Sequence, residues 1–238
     1  MAAGRGLRSF ACWLVSLVVA LGLLLPLPAG RAQNEEVDLA LVLAVDCSFS
    51  VDAREFALQM EGLGRAFMTS EVKEAIAQGT RQRIAVAVVQ WSDDRNQTAV
   101  MPWTVIAGGA DADAFGMRLL NMPRALSEGG TSISAALLFS ATLLRSAPPA
   151  ERLVIDVSAD GRNNSGPQVA EVRDRLVAAG ITINGLTILN EWPTLDSYFE
   201  NNVAGGPGHF VVPAADYDAY GEAILRKLLR EIVGPSVT

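Results

Sequence analysis

Asp38–Val45 reads DLALVLAV and runs without a break into Asp46-Cys47-Ser48-Phe49-Ser50. The run is continuously apolar after its first residue, with no alternation of polar and apolar positions. Neither face of such a strand meets water. That is the pattern of a strand inside a sheet covered by helices on both sides. Asp-x-Ser-x-Ser then falls at the carboxyl end of a central strand.

The rest of the chain extends this pattern. Ile84–Trp91 (IAVAVVQW), Leu153–Ser158 (LVIDVS) and Ile181–Leu189 are further buried strands, and His209–Val212 is a short last one. Thr98–Ile106 follows Ile84–Trp91 through the short polar link Ser92–Gln97, which makes an antiparallel hairpin and places this strand at an edge. Between the strands lie helical segments. Asp52–Met68 carries Phe56, Met60, Leu63 and Phe67 on one stripe. Asp111–Asn121 is short, Ser132–Arg145 stops before Pro148-Pro149, and Pro167–Ala179 is closed by Gly180. Leu195–Asn201 is a short helix, and Asp216–Val233 is a closing amphipathic one. Alternating strands and helices predict one doubly wound α/β domain, a mostly parallel sheet with one antiparallel edge strand. Ligands bind such sheets at the strand carboxyl ends, where the winding reverses.

Composition excludes several functions. The 238 residues are 50% hydrophobic and 19% charged, with net charge -7, which fits one globular domain and not a disordered chain. No basic surplus exists to neutralise nucleic-acid phosphates. Two cysteines and one histidine exclude a disulfide scaffold and a Cys/His zinc cluster. Arg5 and Arg8, the apolar run Ala11–Leu25 and the small-residue end Gly30-Arg31-Ala32 describe a secretory signal peptide cut after Ala32. The apolar run is too short for a membrane anchor. Removing residues 1–32 takes away three arginines and no acid, so 206 residues remain, with 16 basic and 26 acidic groups and net charge -10. Cys47 is then the sole thiol, and the product is expected to be periplasmic or secreted, without a membrane span.

Three segments meet at the predicted ligand edge: Asp46–Ser50, the loop Gly129-Gly130-Thr131-Ser132, and Ser158-Ala159-Asp160-Gly161. Asp46 and Asp160 with the hydroxyls of Ser48, Ser50 and Thr131 make a hard, all-oxygen set. Such a set suits Mg²⁺, with Mn²⁺ or Ca²⁺ also acceptable, over zinc or copper. Two carboxylates only balance a divalent cation, and an outside carboxylate could complete its shell. A plainer alternative is that Ser48, Ser50 and Asp52 cap the next helix, Thr131 caps its own, and Asp160-Gly161 is a turn.

Asp-x-Ser-x-Ser, a Gly-Gly-Thr loop and a strand ending in Asp-Gly resemble the metal-ion-dependent adhesion site of von Willebrand factor type A domains. The resemblance covers about Val37–Val233, and all five positions match. It extends to an exported bacterial subgroup of that family without a defined activity. It implies that Ser48 and Ser50 ligate the metal, that Thr131 ligates directly or through water, and that Asp46 and Asp160 bind directly or hold coordinated waters. The expected organisation is residues 1–32 signal peptide, 33–36 tail, 37–233 VWA-like domain and 234–238 tail.

The expected function is therefore a non-enzymatic module that binds an Asp or Glu of a protein partner through the cation. The alternative is a metal-dependent, phosphatase-like hydrolase at the same strand ends. Its chemistry needs a general acid two residues after Asp46, where Ser48 stands. No histidine base or Gly-x-Ser-x-Gly elbow supports a serine hydrolase, and Asp46–Ser50 lacks the glycines of a dinucleotide loop. Asp93, Asp94 and Glu191 are loop charges near the same edge. Asn163 and Asn164 fit either a turn or hydrogen bonds to metal-bound water, Trp192-Pro193 suits a partner contact, Cys47 faces the core, and His209 is structural.

Overall fold

The computed structural model describes residues 35–126 and 129–235. The proposed signal segment and its cut after Ala32 lie outside these residues. The elements are β1 (Val37–Asp46), α1 (Ala53–Met68), α2 (Ser70–Ala77), β2 (Ile84–Trp91), β3 (Gln97–Ile106), α3 (Gly109–Leu120), α4 (Ile133–Leu144), β4 (Ala150–Ala159), α5 (Val169–Ala178), β5 (Ile181–Ile188), α6 (Leu195–Asn202), β6 (Val211–Ala214) and α7 (Tyr220–Val233).

The six strands order as β3-β2-β1-β4-β5-β6. β1 pairs in parallel with both β2 and β4, and only β3 is antiparallel, at the edge. The winding therefore reverses between β1 and β4. The alternation of side chains along β1 explains its apolar run. Leu39, Leu41, Leu43 and Val45 enter one core with residues of α1, α2, α3 and α7, whereas Ala40, Val42 and Ala44 enter a second with α4, α5 and α6. Both faces are closed, as the sequence predicts. Among the described residues no helix is long and apolar enough to cross a membrane.

The main departures from expectation are one extra helix and the starts of three elements, while α3 and α5 shift by one or two residues at their ends. The segment Ser70–Ala77 forms an extra helix, α2. Thr69 ends α1, and its hydroxyl accepts from Val72 N to start α2, so a single residue separates the two helices. The last strand is Val211–Ala214 and not His209–Val212. Gly206 and Gly208, both at positive φ, hold His209 in a turn where its Nδ1 lies 2.7 Å from Gly206 O. α7 begins at Tyr220 and not at Asp216, because Asp216 Oδ1 accepts from Ala219 N in the preceding turn. β4 starts three residues early, at Ala150.

Beneath α7 the core is charged. Lys227 Nζ lies 2.6 Å from Asp156 Oδ1 on β4 and 2.7 Å from Glu231 Oε1 one turn along its own helix, with all three side chains buried. Asn184 on β5 donates to Glu231 Oε1 at 2.9 Å. Asp156 Oδ2 and Glu231 Oε2 have no hydrogen-bond partner among the described residues. Burial, and next the Asp156 charge, push the Glu231 carboxyl up to about 7.

Candidate metal centre

Asp46 ends β1 and Asp160 follows β4, so the two neighbouring parallel strands deliver both carboxylates to the point where the winding reverses. The loop after β1 turns sharply because Asp46 Oδ1 accepts from Ser48 N at 2.7 Å. Ser48 Oγ then lies 3.2 Å from Ser50 Oγ, and Ser50 Oγ donates to Asp160 Oδ1 at 2.7 Å. Asp46, Ser48, Ser50 and Asp160 thus form one continuous chain of polar contacts.

Thr131 enters from the loop before α4. Its N donates to Asn164 Oδ1 at 2.9 Å, and its carbonyl accepts from Asn164 N at 2.8 Å. A Cβ built on Gly161 would sit 3.7 Å from Thr131 Oγ1, so this hydroxyl borders the residue that follows Asp160. Asn163 Oδ1 accepts from Ser134 N. The two asparagines therefore lace the loop after β4 to the loop before α4 and to the first turn of α4, a larger role than a simple turn.

Helix capping does not account for the hydroxyls. Asp52 caps α1 in a reciprocal box with Glu55, and Ser132, not Thr131, caps α4. Ser48, Ser50 and Thr131 are free of that duty. Asp160 Oδ2 accepts from Tyr217 OH at 2.9 Å, but Asp46 Oδ2 is buried with no hydrogen-bond partner among the described residues. Burial first, and the neighbouring Asp160 charge second, push the Asp46 carboxyl up to about 8. An oxygen so placed is destabilised until a cation or proton meets it. Among the described residues no three His, Cys, Asp or Glu side chains converge. A cation here would have two carboxylates and otherwise hydroxyls and water. That donor set fits a hard divalent ion such as Mg²⁺.

Three supporting residues carry no local signal in the sequence. Arg124 donates from Nη1 to Val51 O at 2.7 Å, and from Nη2 to Cys47 O at 2.8 Å and Ser48 O at 3.2 Å, clamping the loop from below. Gln59 Nε2 donates to Asp46 O at 3.2 Å. Tyr217, raised by burial and then by the Asp160 charge, keeps its proton and remains a donor. Arg124→Ala should lower stability by about 1–3 kcal/mol, since buried carbonyls lose a charged donor. It should also weaken Mg²⁺ binding, read from melts at increasing MgCl₂; an unchanged metal response would remove Arg124 from the site.

The remaining sequence candidates divide. Asp93 is committed to its own turn, accepting from Arg95 N and Asn96 Nδ2, both at 2.9 Å. A Cβ on Gly129 would come 2.8 Å from Asp93 Oδ2, so glycine is needed there for close approach. Asp94 and Glu191 are exposed. Trp192 is 46% exposed. Cys47 is fully buried, and burial, with the Asp46 charge next, pushes its thiol up to about 12, so it packs as an apolar group. His209 precedes β6, at the opposite end of the sheet.

Residues 36–236 match a protein family described as "protein of unknown function (DUF1194)". No curated protein matches the chain. Its fold is similar to that of proximal thread matrix protein 1 from the mussel byssus, with 15% identity, TM-score 0.57, and 83% of this chain and 47% of that one covered. It is also similar to the pilus adhesin SpaC from Lactobacillus rhamnosus GG (15% identity, TM-score 0.59, 84% and 30% covered). A von Willebrand factor type A protein from Catenulispora acidiphila gives 19% identity and TM-score 0.55, with 84% and 44% covered. A further structure of the byssus protein has a zinc-occupied MIDAS motif (16% identity, TM-score 0.56, 82% and 45% covered). The chain spans less than half the length of each. These likenesses show a von Willebrand factor type A fold.

Proposed function

Because the chain belongs to the DUF1194 family of proteins of unknown function, we propose a function from the site itself: an exported module that binds a protein partner through a divalent cation. Asp46, Ser48, Ser50, Thr131 and Asp160 would hold the ion, Mg²⁺ in the first instance. A bound cation supplies an electrophile for an acidic side chain of the partner. The residues of this chain set its position: Asn164 holds Thr131, Arg124 holds the loop after β1, and Tyr217 orients Asp160. The domain occupies residues 37–233, and residues 1–32 direct export and are then cut off after Ala32.

The observation that carries this reading is the buried Asp46 Oδ2, without a hydrogen-bond partner among the described residues, beside a second carboxylate and three hydroxyls that cap no helix. The zinc-occupied MIDAS motif of the byssus protein supports cation binding by this fold. Hydrolysis is disfavoured, because residue 48 is a serine with no acid to give and the only histidine lies at the far end of the sheet.

The test is retention of partners from an exported protein fraction on the immobilised mature chain. Proteins held in MgCl₂, released by EDTA and absent with Asp46→Ala are the expected result. Metal-dependent turnover of phosphate or carboxylate esters, lost in Asp46→Ala, would overturn it in favour of the hydrolase.

A further inference from the structure

Beside the hydroxyl cluster runs a groove of about 410 Å³ whose walls include Phe49, Thr131, Arg162, Glu191 and Trp192. Its chemistry is unlike that of the rest of this acidic surface. Phe49, between the two serines, is 76% exposed, and Trp192 on the facing loop is 46% exposed. Burying large aromatics is the normal outcome of folding, yet the sequence places two at this rim. Gly129, Gly130 and Gly161 also line the groove, leaving backbone uncovered there.

Arg162 supplies a fixed cation. Its guanidinium lies 5.3 Å from the Trp192 ring centre and 5.4 Å from that of Tyr198. Its Nη2 donates to Thr194 Oγ1 at 3.0 Å. Among the described residues no carboxylate lies within ion-pair distance of it. A guanidinium packed on rings is pre-organised, so little side-chain freedom is lost when it binds. Among the described residues Glu191 is the one acidic group on these walls, and it disfavours a purely acidic occupant.

We propose that this groove reads an extended peptide segment of the partner with three features: an acidic residue for the cation, an adjoining aromatic residue for Phe49 and Trp192, and a second carboxylate for Arg162. The inference rests on the metal-bridged reading above. Charge complementarity carries it: a site cation and Arg162 stand together on a mature chain of 16 basic and 26 acidic groups, net charge -10. The exposed aromatics add the apolar anchor that such contacts use.

The probe is an immobilised set of peptides Gly-Gly-X-Asp-Z-Gly-Gly, with X and Z each Phe, Glu, Lys or Ala, tested against the mature chain in MgCl₂ and in EDTA. The Phe/Glu members should bind most strongly, and only with Mg²⁺. Arg162→Ala should cost about tenfold on Glu-containing members and little on the others. Phe49→Ala should cost about tenfold on Phe-containing members. Both variants should keep the thermal response to Mg²⁺, which separates failure of the groove from failure of the metal site. Mg²⁺-dependent binding with no preference at X or Z would overturn the inference and leave the metal-bridged reading standing. So would preferences unchanged in both variants, a Mg²⁺ response without peptide binding, or a Mg²⁺-dependent dimer that fills the groove with a second copy. Absence of any Mg²⁺ response would overturn both.

Discussion

Lys227→Met should destabilise the domain by about 3–5 kcal/mol, the largest stability loss expected from a single exchange outside the apolar core. The substitution conserves the aliphatic stem and removes the ammonium that lies between Asp156 and Glu231. Two carboxylates would then share a dry space below α7, already with two partnerless oxygens. In a domain of this size each kcal/mol moves the melting temperature by roughly 2–4 °C. Adding Asp156→Leu and Glu231→Met to Lys227→Met should recover much of the loss, because the penalty lies in uncompensated charge. A triple variant no more stable than Lys227→Met would show that packing, not charge, sets the effect.

The same cluster predicts a pH dependence. Glu231 titrates near 4.5 when unfolded and at about 7 when folded. Across that window the folded state holds a proton that the unfolded state has released, so stability falls as pH rises. The contribution is fully present below about 4.5 and lost through about 7, on the order of 3 kcal/mol for a shift of this size. Glu231→Gln should flatten the stability profile in this range. Melts at stepped pH values read the difference, and equal slopes in both proteins would reject the assignment.

The second large effect concerns Asp46. Mg²⁺ present at 100 times its dissociation constant should stabilise the wild-type chain by about 2.7 kcal/mol, or on the order of 5–10 °C. EDTA should remove the gain. Asp46→Asn keeps an oxygen for Ser48 N but, above about pH 8 where the Asp46 carboxyl is ionised, removes one of two adjacent buried charges. In EDTA above that pH it should therefore melt higher than wild type, by on the order of 1 kcal/mol, and it should not respond to Mg²⁺. The same exchange is thus expected to stabilise the metal-free domain and abolish the metal-bound gain. A variant that melts lower in EDTA and still responds to Mg²⁺ would contradict this account of Asp46.

What the sequence makes legible is what its local patterns encode. Leu39, Leu41 and Leu43 with Ala40, Val42 and Ala44 give a run apolar at every position, and that alone implies a strand between two helix layers. Asp46, Ser48 and Ser50 lie within five residues, so their cluster at a strand end follows from one motif. Arg124 reaches Cys47 and Ser48 across 77 and 76 residues, and Tyr217 reaches Asp160 across 57. No periodicity records such contacts. The charged cluster leaves a faint trace, an aspartate within LVIDVS, but its partner on α7 reads as an ordinary lysine of an amphipathic helix. The end of α1 at Met68 is legible, but α2 is not, for another reason: Thr69 serves both helices, so only one residue breaks the helical pattern. His209 lies outside β6 because two glycines at positive φ hold it in a turn just before that strand.

The central claim is that five oxygen-bearing residues hold one divalent cation, and direct titration tests it most plainly. EDTA-stripped chain titrated with Mn²⁺, followed by the loss of the free-ion paramagnetic resonance signal, should bind one ion per chain and release it to excess Mg²⁺. Asp46→Ala and Asp160→Ala should bind none while keeping the wild-type circular dichroism spectrum. No binding by the wild-type chain, or equal binding by the two variants, would contradict the account.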